Sequence, residues 1–122
     1  MKIYFNNSLR DDLALPATGG GWLLGDGAFE SLRTYSGRAF ALEQHLDRLE
    51  QTLNELKIAA PTRAQLVQGV EETIAANPAT PFGRLRITVF GDGNWMVTHI
   101  EYKPETRFLK LSLSPIKRYS LD

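Results

Sequence analysis

Gly25-Asp26-Gly27-Ala28-Phe29-Glu30-Ser31-Leu32-Arg33-Thr34-Tyr35 reads as a tight glycine turn that opens a β-strand from about Ala28 to Tyr35. Ser36-Gly37 turns the chain back into a second run, Arg38–Leu42, and two β runs around a short glycine-containing loop make a hairpin. The period then changes. Leu42, Leu46, Leu49, Leu53 and Leu56 recur at steps of four and three, one apolar stripe of a helix, while Glu43, Asp47, Glu50 and Glu55 lie off it. The same helix carries His45 and Arg48 one turn apart.

Working outward, Pro61-Thr62-Arg63-Ala64-Gln65 gives a break and a capping box formed by Thr62 and Gln65. Leu66, Val70 and Ile74 form the stripe of a second helix, stopped at Asn77-Pro78. After the Pro78–Pro81 loop the period returns to two, with Leu85, Ile87 and Val89 alternating with Arg84, Arg86 and Thr88. Gly91-Asp92-Gly93-Asn94 is a turn, and Trp95–Tyr102 is the return strand of a second hairpin. Upstream, Lys2–Phe5 is a short β-prone run closed by Asn6-Asn7, and residues 6–21 read as loop. Downstream, Phe108–Leu113 alternates again and Ser114–Asp122 has no element of its own. The expected architecture is α+β: a mainly antiparallel sheet built from two hairpins and flanking strands, covered by two helices.

Composition narrows the function classes. A chain of 122 residues, 43% hydrophobic, suffices for one domain with a real core. Fourteen basic residues balance fourteen acidic ones, which argues against a general electrostatic grip on nucleic acid or an anionic membrane but leaves room for a local anion pocket. There is no cysteine, so disulfide, zinc-thiolate and cysteine-nucleophile chemistry are excluded for these residues, and no His/Asp/Glu cluster has metal-ligand spacing. No signal peptide or membrane-spanning stretch is apparent, so the expected location is cytoplasmic.

Three groups of residues can carry chemistry. Arg48 lies just off the leucine stripe, where its stem can pack on apolar neighbours while its planar fork reaches a phosphate; on a Glu-rich helix it can equally be a surface salt-bridge partner. Arg84 and Arg86 fall on one face of one strand and repel unless an anion lies over them, whether a ligand carboxylate, Glu101 or Glu30. Phe29, Ser31, Arg33 and Tyr35 also share a face, either as a pocket wall or as core and solvated rim. No nucleophile elbow or Walker-type phosphate loop is present.

Taken together, Gly25-Asp26-Gly27-Ala28-Phe29-Glu30, the Ser36-Gly37 turn, His45-x-x-Arg48-Leu49 and Arg84-Leu85-Arg86-Ile87-Thr88-Val89 stand in an order and spacing that resemble the fold-type IV pyridoxal-phosphate enzymes, the class IV aminotransferases and 4-amino-4-deoxychorismate lyases. The likeness is to their small N-terminal domain, expected over residues 1–113. Residues 114–122 begin the connection to a large domain that is missing here, Leu113-Ser114-Pro115-Ile116-Lys117-Arg118 resembling the strand that leads into it.

By this resemblance Arg48 holds the phosphate of pyridoxal 5'-phosphate, Phe29 and Ser31 line the substrate pocket, Arg86 faces the substrate, and Asp26 has a structural role in its turn. The substrate would be an amino acid or aminodeoxychorismate, and the enzyme a homodimer. Two departures bear on specificity. Phe90-Gly91-Asp92 stands where D-amino-acid aminotransferases carry an arginine, and Leu24 where branched-chain enzymes tend to have a tyrosine. Lys117 comes too early to be the family's Schiff-base lysine, which is expected beyond Asp122. No catalytic residue is therefore assigned within this chain, which alone should be inactive. A reading from another class is a non-catalytic interaction module that keeps the fold without cofactor.

Overall fold

The structure, a computed structural model, describes residues 1–11 and 27–103. In chain order the elements are β1 (Ile3–Phe5), β2 (Ser8–Arg10), β3 (Gly27–Tyr35), β4 (Arg38–Ala39), α1 (Leu42–Glu55), α2 (Arg63–Ala76), β5 (Phe82–Phe90) and β6 (Trp95–Glu101). The strands form one antiparallel sheet in the order β2-β1-β6-β5-β3-β4. The α+β architecture read from the pattern is the one observed.

Period two governs the sheet. Along β3, Ala28, Glu30, Leu32 and Thr34 point inward, and along β5 Leu85, Ile87 and Val89 do the same. The register pairs Ala28 with Val89, Glu30 with Ile87 and Leu32 with Leu85, so the inner positions of both strands coincide. Onto this face α1 lays Leu46, Leu49 and Leu53, and α2 lays Leu66 and Val70, all of them buried. Tyr4 and Trp95 complete the core with ring centroids 5.6 Å apart. Gly27 begins β3 because nothing larger fits there: its φ is 139°, and a Cβ would collide with the Val89 carbonyl oxygen.

Four local readings change. Residues 6–21 were expected to be loop, yet Ser8–Arg10 form β2, because Asn6 and Asn7 both take positive φ (47° and 72°) and make a two-residue hairpin turn matched to strand twist. The second run is shorter than Arg38–Leu42: β4 ends at Ala39, and Ala41 at φ 56° turns the chain into α1. The leucine stripe ends one residue early. Lys57 at φ 59° closes α1, with Ile58 N–H donating to the Leu53 carbonyl and Lys57 N–H to that of Asn54, so Leu56 is left exposed. On α2, Ile74 is only partly buried, and Gly69 and Thr73 share the buried stripe with Leu66 and Val70.

The predicted cap is present. Thr62 Oγ1 accepts from Gln65 N–H at 3.1 Å, and the Gln65 side chain accepts from Thr62 N–H at 2.8 Å. Asn77 ends α2 and clips it to the N-terminus, donating to the Thr73 and Lys2 carbonyls and accepting from Lys2 N–H at 2.8 Å. Arg63, in the first turn of α2, spans back to Glu43, Asp47 and Glu50 of α1 and so binds the two helices edge to edge.

Leu24, Gly25, Asp26, the alternating run Phe108–Leu113, Lys117 and the expected 113/114 boundary lie outside the described residues.

One consequence concerns Gly83, whose missing Cβ leaves room for His99 and Thr34; an added methyl would collide with both side chains. Gly83→Ala is expected to lower stability by about 1–3 kcal/mol through overpacking. Urea unfolding measures it, and an unchanged midpoint would contradict this packing.

Candidate functional site

Glu30 is the residue around which the helix side of the site is built. It sits at an inward position of β3 among apolar neighbours and is only 7% exposed. A carboxylate withdrawn from water needs charged or hydrogen-bonding partners. Three donors from α1 supply them. Arg48 Nε donates to Glu30 Oε2 at 3.0 Å and lies 3.3 Å from Oε1, while Arg48 Nη2 donates to Oε1 at 2.9 Å. His45 Nδ1 is 2.7 Å from the same Oε1. Because a carboxylate only accepts, Nδ1 must carry the proton, which fixes which imidazole nitrogen is the donor. The 3.4 Å approach of Arg48 Nη2 to His45 Nδ1 is then a contact between two donors that share one acceptor.

Local sequence explains the arrangement. His45 and Arg48 are one turn apart on α1, so they project from neighbouring positions on one flank of the helix. Leu46 and Leu49 beside them are driven into the core and hold that flank against β3. The Arg48 side chain remains 45% exposed. Its guanidinium therefore meets a buried carboxylate without leaving the surface.

The other three sequence candidates come together on the opposite face of β3. Phe29 is 50% exposed, which removes the reading of it as core. Ser31 stands directly across from Arg86 in the β3–β5 register, and the Arg86 guanidinium lies 4.0 Å from the centre of the Phe29 ring. One ladder step on, Arg33 stands directly across from Arg84. Like charges so placed repel, and here both stack on the ring of Tyr102, at 4.8 and 5.2 Å.

Neither acid suggested for these arginines fills that role. Glu30 points to the helix side, and Glu101 pairs with Gly83 at an inward register position. Among the described strands Glu30 and Glu101 are the only acidic residues, so the outer face is cationic and aromatic without a carboxylate of its own.

Arg48 is thus not beside Phe29, Ser31 and Arg86; β3 lies between them. The strand is the link, because β4 pairs with it only at Thr34 and Tyr35. From Gly27 to Leu32 its edge away from β5 carries no strand partner among the described residues.

Sequence reasoning passed over the part played by Glu30. The available signal was an acid at an inward position of an alternating strand, between Ala28 and Leu32. Among the described residues no group of His, Cys, Asp and Glu could hold a metal ion, and no helix is long and apolar enough to cross a membrane.

Residues 27–120 match the family model for class IV aminotransferases. The chain belongs to that family. It is 39% identical over 80 residues to a putative branched-chain-amino-acid aminotransferase of Methanocaldococcus jannaschii, a match covering 63% of this chain and 28% of that protein. Among solved structures it is similar to a putative 4-amino-4-deoxychorismate lyase, with TM-score 0.66, 31% identity, and 79% of this chain and 38% of that one covered. A hypothetical aminotransferase from Mycobacterium tuberculosis in its PLP-bound form shares the fold at TM-score 0.74 and 23% identity, over 84% of this chain and 40% of that one. The chain therefore spans well under half the length of these relatives.

A pH dependence follows from the second histidine. His99 is buried, with Nε2 2.7 Å from Thr34 Oγ1, and burial lowers its pKa from the ordinary 6.5. The unfolded chain then takes up the proton before the native one does. This histidine costs no stability above pH 6.5, and stability falls as the pH drops from 6.5 toward the depressed native value. Urea midpoints measured from about pH 7 down to pH 5 should fall less steeply in His99→Gln than in the parent. Parallel slopes would show that His99 is not the group responsible.

Proposed function

We propose that this chain is the small-domain half of a pyridoxal-phosphate enzyme acting on an amino acid or on aminodeoxychorismate. In this reading Arg48 grips the cofactor phosphate, and the outer face of β3 and β5 forms one wall of the substrate pocket. The observation that carries the reading is the side chain of Arg48, whose guanidinium is fixed by Glu30 along its Nε–Nη2 edge while the side chain stays 45% exposed. Membership of the class IV aminotransferase family supports it.

The donor set suits the cofactor. A planar guanidinium offers directed N–H bonds to phosphate oxygens and stays charged at any working pH. Pyridoxal phosphate, when bound, supplies the electron sink that makes a proton at the substrate's α-carbon removable. The chain's own residues bind and orient. Arg48 holds the phosphate end. Arg86 offers a cation to a substrate carboxylate, with Phe29 packed against its guanidinium and Ser31 as the hydroxyl opposite. Phe29 excludes water from the pocket wall, so the Arg86–carboxylate pair acts in a drier medium and is stronger for it.

The lysine that anchors the cofactor and moves the proton belongs, in this proposal, to a segment outside these 122 residues, and the chain alone is inactive. The choice between transamination and elimination rests with that segment too. The exposed aromatics Phe29, Tyr35 and Phe82 fit a surface covered by the rest of the enzyme and by a second copy in a homodimer.

Two substitutions in the full-length protein test the assignment. Arg48→Ala should weaken pyridoxal-phosphate binding about 10–100-fold, the equivalent of one charge-assisted hydrogen-bond pair, while the fold survives. Unchanged affinity would overturn the phosphate role, and no cofactor uptake by the parent protein would favour the non-catalytic module. Arg86→Ala should raise KM for a carboxylate-bearing substrate by about tenfold or more and leave cofactor affinity alone. An unaltered KM would remove Arg86 from the pocket.

A further inference from the structure

We infer that Glu30 and His45 are positioning residues for the phosphate contact of Arg48, an inference that rests on the reading of Arg48 given above. Coulomb's law alone points the other way. A buried carboxylate beside the arginine offsets its charge and should weaken the attraction for a phosphate dianion. The geometry gives Glu30 a different use. Its two oxygens take Arg48 Nε and Nη2 side by side, at 3.0 and 2.9 Å, and this two-point contact sets both the position and the plane of the guanidinium. A lone arginine on a helix surface spreads over many rotamers. Here that freedom is already removed before any anion arrives, so less is lost on binding.

His45 fixes the fixer. Its Nδ1–H meets Glu30 Oε1 at 2.7 Å, on the oxygen that also receives Arg48 Nη2. The imidazole comes from α1, one turn before Arg48, and its side chain is only 13% exposed. The carboxylate is therefore held by three donors of one helix, and the His45 contact keeps it in place when Arg48 engages an anion. No covalent bond is made or broken in this contact, and the gain lies in orientation.

The two views predict opposite signs, which makes the test sharp. In the full-length protein, affinities for pyridoxal phosphate and for pyridoxal, which lacks the phosphate, are measured on the parent, Glu30→Gln, His45→Asn and Arg48→Ala. Gln keeps the size of Glu30 but turns one acceptor into a donor facing Arg48 and His45. If positioning governs, Glu30→Gln weakens pyridoxal phosphate by about tenfold or more and leaves pyridoxal unchanged, and His45→Asn shows the same pattern to a smaller degree. The phosphorus resonance of the bound cofactor should also shift in both variants.

Equal or tighter binding of pyridoxal phosphate by Glu30→Gln overturns the inference, since charge then outweighs orientation. Parallel weakening of pyridoxal also overturns it, because the role is then merely structural. If Glu30→Gln does not fold, His45→Asn decides on the same contrast of the two ligands. Should Arg48→Ala leave the phosphate affinity untouched, the fault lies with the phosphate role of Arg48 itself and not with its positioning.

Discussion

An acid on the apolar face of a central strand is the constraint on which this site depends. Glu30 cannot be left without partners among Ala28, Leu32 and the leucines of α1. Partners could come from many places, but α1 already crosses β3 because Leu46, Leu49 and Leu53 must be buried there. His45 and Arg48 ride on the flank of that packing. Hydrophobic burial thus places the helix, and the carboxylate then selects where its cation ends. Removing one partner of such a buried pair costs far more than the pair contributes net, so the arrangement is better understood as specifying a geometry than as adding stability.

The alternation of β3 divides labour between two environments. Inward residues face a helix layer and are closed to solvent, apart from the flank where Arg48 emerges. Outward residues meet no layer among the described residues and collect arginine and aromatic side chains together. Rings standing against guanidinium groups do for Arg33, Arg84 and Arg86 what acids would do elsewhere. The difference matters chemically. A carboxylate partner would compete with an incoming anion for the same donors, whereas a ring leaves the in-plane N–H groups oriented for one.

Most of the fold was legible because its elements obey clean periods: four-and-three steps along α1, two along β5, and a capping box at Thr62. What escaped had no separate sequence mark. Asn6-Asn7 makes a hairpin turn without glycine, so β2 was hidden in polar loop composition. Lys57 takes the left-handed conformation that glycine commonly fills at a helix end, so the stripe ran on to Leu56. The placement of the candidate residues was legible in the same uneven way. Arg48, Phe29, Ser31 and Arg86 could be named from spacing and family likeness, and the structure puts the last three on one surface. The relation between Arg48 and Glu30 needed the crossing of α1 over β3, and no pattern within either element contains that crossing.

The edge of β3 that has no strand partner among the described residues from Gly27 to Leu32 then acquires a meaning that neither face has alone. In the proposed reading a ligand reaching from Arg48 to Arg86 would pass around a strand, not through a sheet, and the stretch from Gly27 to Leu32, which has no strand neighbour on that side among the described residues, is where that is possible. On the proposed roles of Arg48 and Arg86, a phosphate held on the helix side and a carboxylate met on the outer side would be two ends of one extended ligand, wrapped over the edge of a single strand. For such a ligand the separation of the cations is an advantage: each binds its own anion, and the body of the molecule between them faces whatever segment supplies the chemistry.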